Sequence, residues 1–122
     1  MMKETHTVLP AADINRARTY YHDKLGMDPD SELGSSLVFR PFPGSTFEIY
    51  ETPNAGTAQN TQMCWITDDL EGELAAMRSN GVVFEEYDFP GMKTVDGIAT
   101  VDDHRSAWFR DSEGNYICVS EV

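Results

Sequence analysis

Basic residues are scarce in this chain: nine Lys and Arg stand against 21 Asp and Glu, a formal charge of −12. Phosphate backbones are gripped by clustered Lys and Arg, so this balance argues against a nucleic-acid partner. The excess acid implies instead a soluble surface that repels anionic ones. Cysteine is nearly absent as well. Cys64 and Cys118 are the two thiols, too few for a disulfide framework, and the expected setting is a reducing cytoplasm. No stretch approaches the ~20 consecutive apolar residues of a membrane helix, so no membrane partner is expected. The opening Met1-Met2-Lys3-Glu4-Thr5 leads straight into polar and strand-like sequence, without the pattern of a signal peptide. With 122 residues, 40% of them hydrophobic, the chain suffices for one compact domain or two small halves.

What is present is a pattern that occurs twice. Residues 5–11 read as a strand with Thr7, Leu9 and Ala11 on one side and His6, Val8 and Pro10 on the other. Asp13 is placed to cap a helix whose buried stripe is Ile14, Ala17, Tyr21 and Leu25, and Gly26 ends it. Strands are expected at 27–32, 37–42 and 46–51, the last with Phe47 and Ile49 inward and Thr46, Glu48 and Tyr50 outward. A linker rich in Pro, Asn, Gly, Ala and Thr covers 52–60. The order then starts again. Residues 61–67 form a strand, Asp68 or Asp69 caps a helix with Leu70, Leu74 and Met77 buried, and Val82-Val83-Phe84 begins the next strand. One offset places Asp13 on Asp69 and His6 on Gln62. The second half departs by an excursion over 89–103, long enough for a lid or binding loop.

The chain closes with a hairpin in which Trp108-Phe109-Arg110 and Tyr116-Ile117-Cys118-Val119 flank the turn Asp111-Ser112-Glu113-Gly114-Asn115. Gly114-Asn115 supplies the left-handed backbone position that such a turn requires. Alternation points Ile117 and Val119 to a core and Tyr116, Cys118 and Ser120 to the opposite, mixed face.

Two runs carry a family resemblance. Leu9, Asp13, Arg16-Ala17, Tyr20-Tyr21 and Leu25-Gly26 form a series that resembles the opening signature of the glyoxalase, bleomycin-resistance and extradiol-dioxygenase superfamily, the vicinal oxygen chelate proteins. The run 109–115 resembles the turn that closes their second module, with Ser112 where proline is usual. The resemblance covers nearly the whole chain. It implies an α+β fold, one domain over 1–122 made of two βαβββ modules at 4–52 and 61–122. The modules would form half-open mixed β-barrels with helices outside. It also implies a homodimer and a small-molecule ligand in a cleft, often one that chelates a divalent metal.

Carried over position by position, the family's metal ligands fall on His6, Glu48, Gln62 and Cys118. Gln62 stands where His is commoner, and Cys118 where glyoxalases and dioxygenases use glutamate. Zinc, nickel, manganese or iron would be the cofactor of such a site, and Cys, His and Glu are all competent zinc donors. A second reading makes His6 a hydrogen-bonded cleft residue and Cys118 a small apolar filler, and a third makes the cysteine a redox thiol. Tyr50, Cys64, Tyr87, Trp108, Arg110 and Tyr116 are the candidate ligand-binding residues, because aromatics with a few polar tips are common pocket linings. No catalytic residue is assigned.

Two function classes follow. In the first, the protein binds a small organic molecule like the family's antibiotic-sequestering branch, with an incomplete metal site and an acidic cleft suited to a cation. In the second, it is a divergent divalent-metal-dependent lyase, isomerase or dioxygenase acting on a small oxygen-rich metabolite. The thiol in place of the fourth carboxylate favours the first.

Overall fold

A computed structural model describes residues Met1–Val122, which form two compact units: 1–58 with 111–115, and 59–110 with 116–122. In the first unit the order is β1 (Thr7–Ala11), α1 (Ile14–Leu25), β2 (Ser31–Leu33), β3 (Ser36–Phe42) and β4 (Ser45–Glu51). The strands lie in the sheet order β1-β4-β3-β2. β1 and β4 are parallel, whereas β3 runs antiparallel to both of its neighbours.

The N-terminus of α1 forms where Asp13 accepts hydrogen bonds from the backbone N–H of Asn15 and Arg16 at 3.1 Å. Its stripe presents Ala17 and Tyr21, both fully buried. Tyr21 meets Phe39 at 5.4 Å and Phe47 at 5.7 Å between ring centroids, and those two rings stack at 4.7 Å. Burying each such ring contributes about 3 kcal/mol. The strand expected at 27–32 begins only at Ser31. Met27 donates its N–H back to Tyr21 and so closes the helix, and the chain first reaches β3 when Asp30 N–H bonds Val38.

The second unit contains β5 (Thr61–Thr67), α2 (Leu70–Ser79), β6 (Asp88–Phe89), β7 (Met92–Val95), β8 (Ile98–Val101), β9 (His104–Arg110) and β10 (Tyr116–Glu121). Its sheet order is β5-β10-β9-β8-β7-β6, with β5 and β10 parallel. Asp69 is the cap of α2, and Leu70, Leu74 and Met77 are its buried residues. Each helix start is also held from the last strand of its own sheet: Glu51 accepts from Ile14 N–H and Glu121 from Leu70 N–H.

Two expectations are corrected here. Val82-Val83-Phe84 makes only one bridge, between Phe84 and Phe109, because Val82 N–H is spent on Met77 to end α2. The excursion 89–103 is not a free lid, for most of it is paired strand. Val95 faces Ile98 across Asp96-Gly97, whose φ values of 52° and 81° are both positive. Two left-handed residues make the hairpin turn that matches strand twist, and Asp-Gly is its favoured sequence. The second unit thus carries two more strands than the βαβββ plan seen in the first.

Candidate functional site

In the first unit His6, just ahead of β1, and Glu48, in the middle of β4, come together. Val8 lies opposite Glu48 in the parallel ladder, and period-two alternation puts His6 on the same face as Val8. His6 Nδ1 lies 2.7 Å from Glu48 Oε2. The side chains are 19% and 15% exposed. His6 Nε2 is buried without a hydrogen bond, and Glu4 Oε1 is an ion-pair neighbour at 3.5 Å. The Glu48 hydrogen bond raises the imidazole pKa above 6.5, burial opposes it, and Glu4 adds to the rise. Tyr50 lies two residues on in β4 and is 41% exposed.

In the second unit Gln62 and Cys118 lie on neighbouring strands. Gln62 Oε1 accepts from Tyr116 N–H at 3.0 Å, where the β5–β10 register slips by a bulge. Cys118 is directly opposite Cys64 in the ladder. Cys118 Sγ lies 3.1 Å from Ser120 Oγ, and Cys64 Sγ lies 3.5 Å from the same oxygen. Ser106 completes the cluster at 2.7 Å from Ser120. Burial, with Cys64 beside it, pushes the Cys118 thiol up to about 11.

As they stand, these four residues are not free donors for a divalent ion. The Gln62 carbonyl is engaged by a backbone amide and Glu48 by the imidazole, while burial keeps the Cys118 thiol protonated. No group of three or more His, Cys, Asp and Glu side chains is arranged to hold a metal ion. His6 Nε2 alone is a buried donor or acceptor with no hydrogen bond.

The remaining candidates sort clearly. Tyr87, Trp108 and Tyr116 line an open groove of about 330 Å³ in the second unit, together with Phe89 and Met92. Tyr87 stands edge-on to Trp108 at 5.8 Å and to Phe89 at 6.1 Å. Trp108 Nε1 donates to Thr61 Oγ1 at 3.1 Å, which fixes the indole plane. Arg110 does not line the groove but lies over the Tyr116 ring at 5.2 Å, with Glu85 3.9 Å from its guanidinium. Cys64 belongs to the thiol cluster, and Tyr50 belongs to the first unit. Sequence reasoning missed Phe89 and Met92, although the Asp96-Gly97 hairpin signal would have placed their segment on paired strands.

A family model for the Glyoxalase/Bleomycin resistance protein/Dioxygenase superfamily matches residues 4–119. The chain belongs to that superfamily. It is similar to VPC_CASS1, a protein from the mobile metagenome of V. Pseudocholerae, with 30% identity, TM-score 0.63 and coverage of 99% and 97% of the two chains. It is similar in fold to a bleomycin-binding protein crystallised with bleomycin, at 15% identity, TM-score 0.73 and 99% coverage of both. It is likewise similar in fold to TnmS3, an antibiotic binding protein from Streptomyces sp. CB03234, at 19% identity, TM-score 0.65 and coverage of 99% and 98%. No curated protein matches the chain. The four side chains expected at ligand positions fall into one pair in each unit, His6 with Glu48 and Gln62 with Cys118 on the neighbouring strands β5 and β10.

Proposed function

We propose that this superfamily member binds a small, planar and cationic organic molecule without transforming it, and that the aromatic groove of the second unit holds the ligand's flat part. The groove itself carries the reading: Tyr87, Trp108 and Tyr116 meet around one open space, and the indole plane is fixed by Thr61. Ring faces bear negative charge density, so they stack on flat ligands and attract cations. The formal charge of −12 adds a long-range pull of the same sign. The fold likeness to proteins described as binding bleomycin and an antibiotic supports the same class. The metal-dependent enzyme reading has weaker support, because Glu48 and the Gln62 carbonyl are already engaged in hydrogen bonds and no three His, Cys, Asp or Glu side chains are grouped to hold an ion.

Titration with bleomycin and with a planar acridinium dye, read by tryptophan fluorescence and calorimetry, tests the proposal. Saturable binding that Trp108→Ala weakens by about fivefold or more supports it, since such stacking contributes ~1 kcal/mol or more. Equal affinity in wild type and Trp108→Ala, or no binding to either, rejects the groove as the site.

A further inference from the structure

The two thiols of the second unit are adjacent. Cys64 on β5 and Cys118 on β10 are direct partners in a parallel ladder, with both sulfurs within reach of the one Ser120 hydroxyl, at 3.5 and 3.1 Å. Cys64 is exposed and Cys118 buried, so the pair has an open side and a closed one. Ser106, 2.7 Å from Ser120, backs the cluster. Val8 is the first-unit counterpart of Cys64 under the offset that pairs His6 with Gln62, so the second thiol is no part of the four-position ligand set.

We infer that Cys64 and Cys118 form a two-thiolate site for a soft, thiophilic monovalent cation of the Cu(I) class, separate from the aromatic groove. Side chains directly opposite on neighbouring strands keep their Cβ atoms about 4.5–5.5 Å apart, wider than the ~3.8 Å usual in a disulfide. Two metal–thiolate bonds of about 2.3 Å in line set the sulfurs about 4.6 Å apart, a separation open to two sulfurs that lie 3.5 and 3.1 Å from the one Ser120 oxygen. Soft thiolates select Cu(I) over hard divalent ions, and two donors suffice for it. As the ion enters, each thiol loses its proton to solvent and forms one sulfur–metal bond, with no change in oxidation state. Once Cys64 has lost the proton it shares with Ser120, the Ser120 hydroxyl is free to turn and donate to one of the two thiolates.

The test is an anaerobic titration of the full chain with Cu(I) buffered by a chromophoric chelator, alongside wild-type, Cys64→Ser, Cys118→Ser and Cys118→Ala proteins. One ion per chain, with both thiols masked from an aromatic disulfide reagent, is the expected result. Each single variant should bind roughly 100-fold more weakly or worse, since a two-coordinate ion then keeps one thiolate. Cys64→Ser alters an exposed residue and keeps the comparison valid if the Cys118 variants fail to fold. Affinity unchanged in Cys64→Ser would overturn the site, as would one ion shared between two chains through their exposed Cys64 thiols. Ready closure to an intramolecular disulfide with glutathione disulfide, seen as the loss of two hydrogen masses, would also overturn it. Acridinium binding by the Cys64→Ser protein, measured in parallel, keeps failure here distinct from failure of the groove.

Discussion

Glu113 and Arg16 are joined by two hydrogen bonds, from Nε to Oε2 at 2.9 Å and from Nη2 to Oε1 at 3.0 Å. Glu113 also accepts the backbone N–H groups of Ala12 and Asp13, the latter 100 positions away. A carboxylate from the turn 111–115 thus meets the positive end of α1, where both the orphan amides and the helix dipole favour it. Burial disfavours its charge, but the hydrogen bonds from Arg16, Ser112 and Asp13 outweigh burial and hold the Glu113 carboxyl at about 2.

Glu113→Gln should therefore destabilise the protein by about 2 kcal/mol at neutral pH. Because the folded value lies below the unfolded 4.5, the contribution is full above that pH. It is lost as pH falls toward about 2. Urea denaturation at pH 7 and pH 3 measures this: the gap between wild type and variant should narrow at the lower pH, and a constant gap would refute the account.

His6 and Glu48 give the opposite sign. The folded imidazole pKa is raised above 6.5, so its stabilising effect is present below 6.5 and fades as pH rises through the folded value. NMR titration of the His6 ring should show the raised pKa, and Glu48→Gln should move it down. A ring that titrates identically in both proteins would mean that the 2.7 Å contact does not persist in solution.

Tyr21→Phe removes one hydroxyl from the buried carboxylate of Asp111. Asp111 Oδ2 accepts from Tyr21 at 2.7 Å and from Asn115 Nδ2 at 2.9 Å, while Oδ1 accepts the N–H groups of Glu113 and Asn115. The ring packing survives in the variant, so a loss of about 1–3 kcal/mol reports the hydrogen bond to a charged, buried acceptor. Thermal unfolding within error of wild type would contradict this.

Gly97→Ala tests the hairpin within the 89–103 excursion. Gly97 has φ 81°, and an added Cβ would come within 2.9 Å of Arg78 Nη2 and 3.1 Å of Phe84 Cβ. The expected cost is about 1–2 kcal/mol, with faster hydrogen exchange at Thr94 and Ala99, which face each other across β7 and β8. An unchanged exchange pattern would show that the turn tolerates a side chain.

Sequence periodicity alone determined both strand–helix beginnings, the Asp13 cap and the shared face of His6 and Glu48, because each depends on neighbours a few residues apart or on simple alternation; the choice of Asp69 over Asp68 as the second cap came from the structure. The superfamily was legible for the same reason, through short runs at 9–26 and 109–115. Tertiary structure decided what those residues touch. Only the ladder shows that Cys64 and Cys118 are opposite each other, and only the folded hairpins bring Phe89 and Met92 to Trp108. Periodicity states which way a side chain points, whereas register between distant strands sets its partner. The docking of Glu113 on α1 lies furthest from sequence logic, since a charged turn residue looks solvated until a helix 100 positions earlier supplies amides and a guanidinium to hold it.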